Sequence, residues 1–182
     1  MSYPVVIVEY NPRWPELYGR EELCILKVLG GEVLAIEHIG STAVPGLGGK
    51  PIIDIMLGVS DSDEAALCLE PLRKLGYVDV TPQPGNPEWY YCLAKGPHTD
   101  PHLDTTYHLH LVKFKSDHWR RHLLFREFLR IHPEVAREYY ELKRELAGRY
   151  GSDRRAYTEG KTAFIEAIVA RARGEGQSAH NG

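Results

Sequence analysis

The chain has 182 residues, 43% apolar and 26% charged, with a formal net charge of −3: a soluble globular profile with room for one full core, or a core plus a helical appendage. No apolar run approaches the ~20 residues of a membrane span, so no membrane association is expected. The mild acidity excludes bulk electrostatic attraction to nucleic acid, and MSYPVVIVEY lacks the basic and apolar regions of a secretion signal.

In chain order, PVVIVEY is a short β-rich run closed by Asn11-Pro12. Leu17, Leu23, Leu26 and Leu29 predict a helix over RWPELYGREELCILKVLGG, with Pro15 in its first turn and Gly30-Gly31 as its stop. EVLAIEHI is a strand and GSTAVPGLGGKP a loop. IIDIMLGV is a strand apolar enough to be buried on both faces. SDSDEAALCLEPLRKLGY is a helix that starts acidic, as the helix dipole favours. YVDVTPQPGNPEWYYCLAKG gives two strands around a proline-rich turn, and the loop PHTDPHLD follows. Cys24, Cys68 and Cys92 form no C-x-x-C pair and no disulfide framework, so a cytoplasmic setting with idle thiols is expected.

TTYHLHLVKF is the last strand, with clear alternation. Everything after it reads as helix. Ser116 or Asp117 caps the first, whose stripe is Leu124, Phe128 and Ile131; His132-Pro133 ends it, and Pro133 opens the second. The second repeats Val135, Tyr139, Leu142 and Leu146; a third carries Phe164, Ile168 and Ala172. The expected organisation is a mixed-sheet α/β core over 1–115, a helical region over 116–173 and a disordered tail over 174–182.

The stretch HIGSTAVPGLGGKPIIDIMLGV poses the functional question, since an almost wholly apolar strand carries Asp54 just after a glycine-rich loop. A Walker loop fails, because Val44 stands at its first glycine and Pro51 follows Lys50. A Rossmann fingerprint fails on glycine spacing and on the lack of a following helix. What remains is Gly-Ser, a spacer, and a strand acid, with twelve residues between Ser41 and Asp54. This resembles the nucleotidyltransferase superfamily of DNA polymerase β type.

With YHLHLVKF, WRRHLLFREFLRIHPEVAREYYELKRELA and YTEGKTAFIEAI in the same order, the chain is identified as a member of the GrpB family from about residue 5 to 172. The resemblance implies a nucleotidyltransferase-like mixed sheet, α/β or α+β, with flanking helices and a C-terminal helical region. It implies a nucleotide or other phosphorylated ligand, metal-dependent nucleotidyl transfer to an acceptor, and an association with dephospho-CoA kinase, to which the family is fused in some bacteria. Gly40, Ser41 and Thr42 would cradle phosphates, and Asp54 would be the catalytic carboxylate.

The superfamily places a second acid two residues on, where this chain has Met56. His108 and His110 share one strand face, so they are the candidate replacements, giving a metal set of Asp54, His108 and His110. That set favours Zn, Mn, Fe or Ni over Mg. Lys50, Arg126 and Lys161 are candidates for neutralising phosphate charge, and His98, Asp100, His102 and Asp104 are a weaker metal candidate. The plainer alternatives stay open: Asp54 as a buried carboxylate held by loop N–H groups, the histidines as hydrogen-bonded strand residues, and the arginines as a wet helix face. A catalytically inactive binding module and a metal-dependent hydrolase are the competing functions.

Overall fold

The computed structural model describes residues 4–30, 33–80, 89–97, 105–151 and 153–178. The proline-rich turn and the loop holding His98, Asp100, His102 and Asp104 lie outside them. The residues of strand β2 (Ile52–Val59) alternate between two environments. Ile53, Ile55, Leu57 and Val59 are fully buried in one core, while Asp54, Met56 and Gly58 belong to the other face. β2 pairs antiparallel with β1 (Ala35–Ile39) and parallel with β5 (Thr106–Lys113). β4 (Trp89–Lys95) and β3 (Val78–Asp79) complete a five-stranded mixed sheet in the order β1-β2-β5-β4-β3. The chain thus adopts the expected α/β architecture of a mixed sheet with flanking helices.

Two helices, α1 (Trp14–Leu29) and α2 (Ser62–Lys74), cover the first face. The Asp61 carboxylate caps α2 by accepting from the Asp63 and Glu64 N–H groups, both at 3.0 Å. The buried stripe of α1 is Trp14, Glu21, Ile25 and Leu29, whereas Leu23 is 69% exposed. Of the four leucines, Leu29 is buried and Leu17 packs against the core, whereas Leu23 and Leu26 lie outside the stripe, in which the charged Glu21 takes a place. PVVIVEY also departs from expectation. It forms a single bridge, Val8 with Gly49, because it crosses the glycine loop rather than the sheet edge.

The other face meets the helical region. Helix α3 (Asp117–Ile131) is capped by Ser116, whose hydroxyl accepts from the Trp119 N–H at 3.2 Å. Its buried residues are Trp119, Phe128 and Leu129, and Ile131 turns outward at 70% exposure. Pro133 opens α4 (Pro133–Tyr150), and α5 (Arg154–Gly160) and α6 (Thr162–Ser178) follow. Val44 and Leu47 of the glycine loop pack among Phe128, Val135, Tyr139 and Ile168, so the loop is clamped between sheet and helices. Helix α6 extends through 174–178, within the stretch expected to be disordered. An Arg171–Glu175 pair one turn apart and the contact of Glu175 with His132 at 3.5 Å give that turn its support.

One charge is buried in the first core. Glu21 receives Lys95 Nζ at 2.8 and 3.0 Å and the Tyr77 hydroxyl at 3.1 Å, with both charged side chains nearly enclosed. Removing one partner leaves an uncompensated charge, which costs about 3–5 kcal/mol. Glu21→Ala is therefore expected to lower Tm by roughly 10 °C in thermal denaturation, at about 2–4 °C per kcal/mol for this size. The double variant Glu21→Met with Lys95→Met is expected to recover most of that loss. A Glu21→Ala Tm equal to wild type would show that the pair contributes nothing.

Candidate functional site

The site begins where β1 ends. Gly40 has φ +73°, and a Cβ there would sit 2.4 Å from Asp54 Oδ2, so only glycine lets the loop lie against that carboxylate. A single 3-10 turn at Ser41–Ala43 follows. It sends Ser41 and Thr42 to different places. Thr42 is 1% exposed, donates to the Ile52 carbonyl at 3.1 Å and pairs with His38 Nε2 at 2.9 Å. Its hydroxyl is thus a structural tie between β1 and β2, and it does not line the cavity. Ser41 does line it, and its Oγ accepts from Lys143 Nζ at 2.7 Å.

The cavity, about 490 Å³, lies between the exposed face of β2 and β5 and the helices. Period-two alternation and the parallel register set Asp54 beside His108, with Oδ1 and Nδ1 3.4 Å apart. Burial by itself would raise the Asp54 pKa, but the His108 hydrogen bond and the charges of His108, His110 and Lys50 hold it below the usual value. Burial pushes the His110 imidazole down to about 4 and His118 to about 3, so both are neutral at pH 7. The rings of His118 and His122 meet at a 37° tilt, centres 4.2 Å apart, on the α3 wall.

Gly40, Ser41, Lys50, Asp54, His108, His110, Arg126 and Lys161 all line this one cavity. Arg126, however, is committed elsewhere: it donates to Glu37 at 2.7 Å, to the His38 carbonyl at 2.7 Å and to Glu127 at 2.7 Å. It fastens α3 to β1. Arg130 likewise donates to the Ala43 carbonyl. Met56 shares the face of Asp54 but is fully buried against Ile39, Val112 and Trp119, below the cavity rather than in it.

Among the described residues, no three His, Cys, Asp or Glu side chains are placed to hold an ion. Asp54 and His108 are adjacent, yet Met56 offers no oxygen and His110 does not complete a triad with them.

The residues that sequence reasoning missed come from the helices. Lys143 is 2% exposed and bonds Ser41 and the Gly48 carbonyl, with its ammonium 4.7 Å from the Tyr139 ring centre. Its signal was available: Lys143 falls between Tyr139 and Leu146 on the buried stripe of α4, where a lysine is out of place. Burial, then the neighbouring charges of Lys161 and Lys50, lower its pKa from the ordinary 10.5 to about 7. Tyr157, whose ring Lys161 overlies at 4.6 Å, closes the far wall.

With this geometry in view, comparison places the chain. Residues 4–171 match the family described as GrpB protein. A UPF0157 protein of Halalkalibacterium halodurans is 37% identical, over 92% of this chain and 82% of its own. The crystal structure of conserved protein GrpB from Enterococcus faecalis superimposes with TM-score 0.77 at 33% identity, over 92% of this chain and 96% of that one. A dephospho-CoA kinase of Mycolicibacterium paratuberculosis is 26% identical over 93% of this chain and 46% of its own. The chain belongs to the GrpB family.

Two outcomes follow from the loop and the buried lysine. Gly40→Ala forces either the left-handed φ or the Asp54 contact to yield, and is expected to cost about 1–3 kcal/mol, read as a lower Tm; an unchanged Tm would mean that the loop relaxes freely. For Lys143, the burial penalty on the ammonium is fully present below about pH 7 and is relieved as pH rises toward the ordinary lysine value of 10.5. Lys143→Met is expected to raise Tm, and by more at pH 6 than at pH 9. A gain that grows with pH would contradict the sign.

Proposed function

We propose that this GrpB-family chain binds a nucleotide or another phosphorylated small molecule in the cavity between sheet and helices, and transfers a nucleotidyl group from it to an acceptor. The observation that carries the reading is the charge distribution. Lys50, Lys143 and Lys161 converge on a pocket in which the one carboxylate among the described lining residues, Asp54, is paired with a histidine. A volume near 490 Å³ falls in the range of small-molecule sites, roughly 300–1,000 Å³.

The chemistry follows from Asp54 and His108. Nδ1 of His108 lies against Asp54, which favours the proton on that nitrogen and leaves the Nε2 lone pair as a base. The acceptor oxygen attacks the α-phosphorus, the bond to the bridging oxygen breaks, pyrophosphate leaves, and the acceptor proton passes to His108. The lysines offset the charge on the phosphate oxygens, since phosphoryl transfer is mainly positioning and electrostatics. A divalent ion (Mg, Mn, Zn or Ni) belongs to this reading as a companion of the ligand's phosphates, with Asp54 as its one carboxylate contact. No step depends on it.

A second reading, a binding module without turnover, is favoured by Met56 in place of an acid. The match to under half of a dephospho-CoA kinase supports such a module acting beside a kinase of that type. Calorimetry with ATP, CTP, GTP and UTP, with and without Mg or Mn, is expected to give binding of at least one. Pyrophosphate release in the presence of candidate hydroxyl acceptors is expected to fall about 10²–10⁴-fold in His108→Gln, the usual loss of a general base. Binding with no release would leave the module. No binding of any triphosphate would end both readings.

A further inference from the structure

Lys50, Lys143 and Lys161 come from three separate elements: the loop before β2, the middle of α4, and the turn between α5 and α6. Lys50 and Lys161 lie over the same Tyr157 ring, 5.7 and 4.6 Å from its centre, and Lys143 over Tyr139. The lysine ion pairs among the described residues are Lys74 with Glu70 and Lys95 with Glu21, both elsewhere. Other charges on the cavity wall are answered: Arg121 by Glu166 at 2.5 Å, Arg126 by Glu37 and Glu127, Asp54 by His108. The three lysines therefore form a cationic cluster in a confined space with no ion-paired carboxylate among the described residues, Asp54 acting on Lys50 and Lys161 only at longer range. Such a cluster costs free energy unless an anion enters.

We infer that Lys50, Lys143 and Lys161 form a seat for a linear chain of two or more phosphate groups; this deepens the reading of the cavity as a phosphate site and rests on it. Lys143 has three donors, of which two go to the neutral oxygens of Ser41 and Gly48, leaving one for a ligand. Because Ser41 Oγ accepts from Lys143, its own proton is turned away and can be donated to a phosphate oxygen. One phosphate carries about −1.5 to −2 charge, too little to answer three ammonium groups. A di- or triphosphate answers them and spans three elements at once.

Proton linkage supplies an independent readout. Lys143 and Lys161 are lowered to about 7 and about 8, chiefly by burial and then by neighbouring lysines, with Asp54 opposing this at Lys161. The groups facing them are Lys50, Asp54, Ser41, Tyr139 and Tyr157. A bound polyanion favours the charged lysines, so binding above pH 7 takes up protons.

The test is calorimetry of the full chain in EDTA with orthophosphate, pyrophosphate and tripolyphosphate. Affinity is expected to rise at least tenfold from orthophosphate to tripolyphosphate, with proton uptake at pH 8 seen as a dependence of the heat on buffer ionisation. Lys143→Met and Lys161→Met are each expected to weaken tripolyphosphate at least tenfold, with circular dichroism confirming the fold, while the exposed Arg120→Met leaves it unchanged. If Lys143→Met fails to fold, Lys50→Met and Lys161→Met carry the test. Equal affinity for the three anions, loss of binding in EDTA, or wild-type affinity in the folded lysine variants would overturn the seat. A nucleoside triphosphate binding no tighter than its monophosphate would also overturn it, while leaving nucleotide binding standing. Chain-length dependence without pyrophosphate release supports the seat and removes only the transfer reaction.

Discussion

The strand β2 has to satisfy two solvents at once. Its odd-numbered residues are sealed in a core that admits no water, and Asp54 on the opposite side opens to the cavity. Parallel pairing with β5 copies that division, setting Leu109 and Leu111 in the core and His108 beside Asp54. A slip of one residue would bury the carboxylate among leucines and expose the isoleucines, so the hydrophobic register and the site geometry are one constraint. The glycine loop is fitted to the same strand: Gly40 passes over Asp54 where no other residue could.

The helical region completes this site rather than merely shielding it. Tyr139, Lys143, Tyr157 and Lys161 form its far wall, and Lys143 reaches back to the loop that precedes β2. The two fixed arginines have the opposite role: Arg126 and Arg130 spend their donors on β1 and the loop, holding α3 in place. The cations on this surface thus divide by partner. The arginines, with carboxylate and carbonyl partners, build the frame, whereas Lys50, Lys143 and Lys161 have no ion pair among the described residues. Keeping them unpaired and enclosed opposes folding of the empty chain, a common trade of stability for function.

The absence of an acid at position 56 has a structural consequence as well as a chemical one. Met56 fills a small core with Ile39, Val112 and Trp119, so this side of the sheet is dry immediately below Asp54. The carboxylate stands at the boundary between that apolar floor and the cationic cavity. Its negative charge is sustained against the pull of burial by the His108 hydrogen bond and the nearby Lys50 charge. An acid–imidazole pair thus shares one cavity with a cluster of lysines.

Much of this was legible in the sequence: the order of elements, the caps at Ser116 and Pro133, the glycine loop, and the shared face of Asp54, Met56, His108 and His110. These features are local, fixed by a period of two or 3.6 and by turn chemistry within a few residues. The tertiary structure alone decided which polar side chains were already taken. Arg126 meets Glu37 across 89 residues, Lys143 meets Ser41 across 102, and Glu21 meets Lys95 across 74. Periodicity names the face that a helix buries but not what that face is buried against. A charge on a buried stripe therefore looks like an error until the fold supplies its partner or, for Lys143, the cavity that it faces.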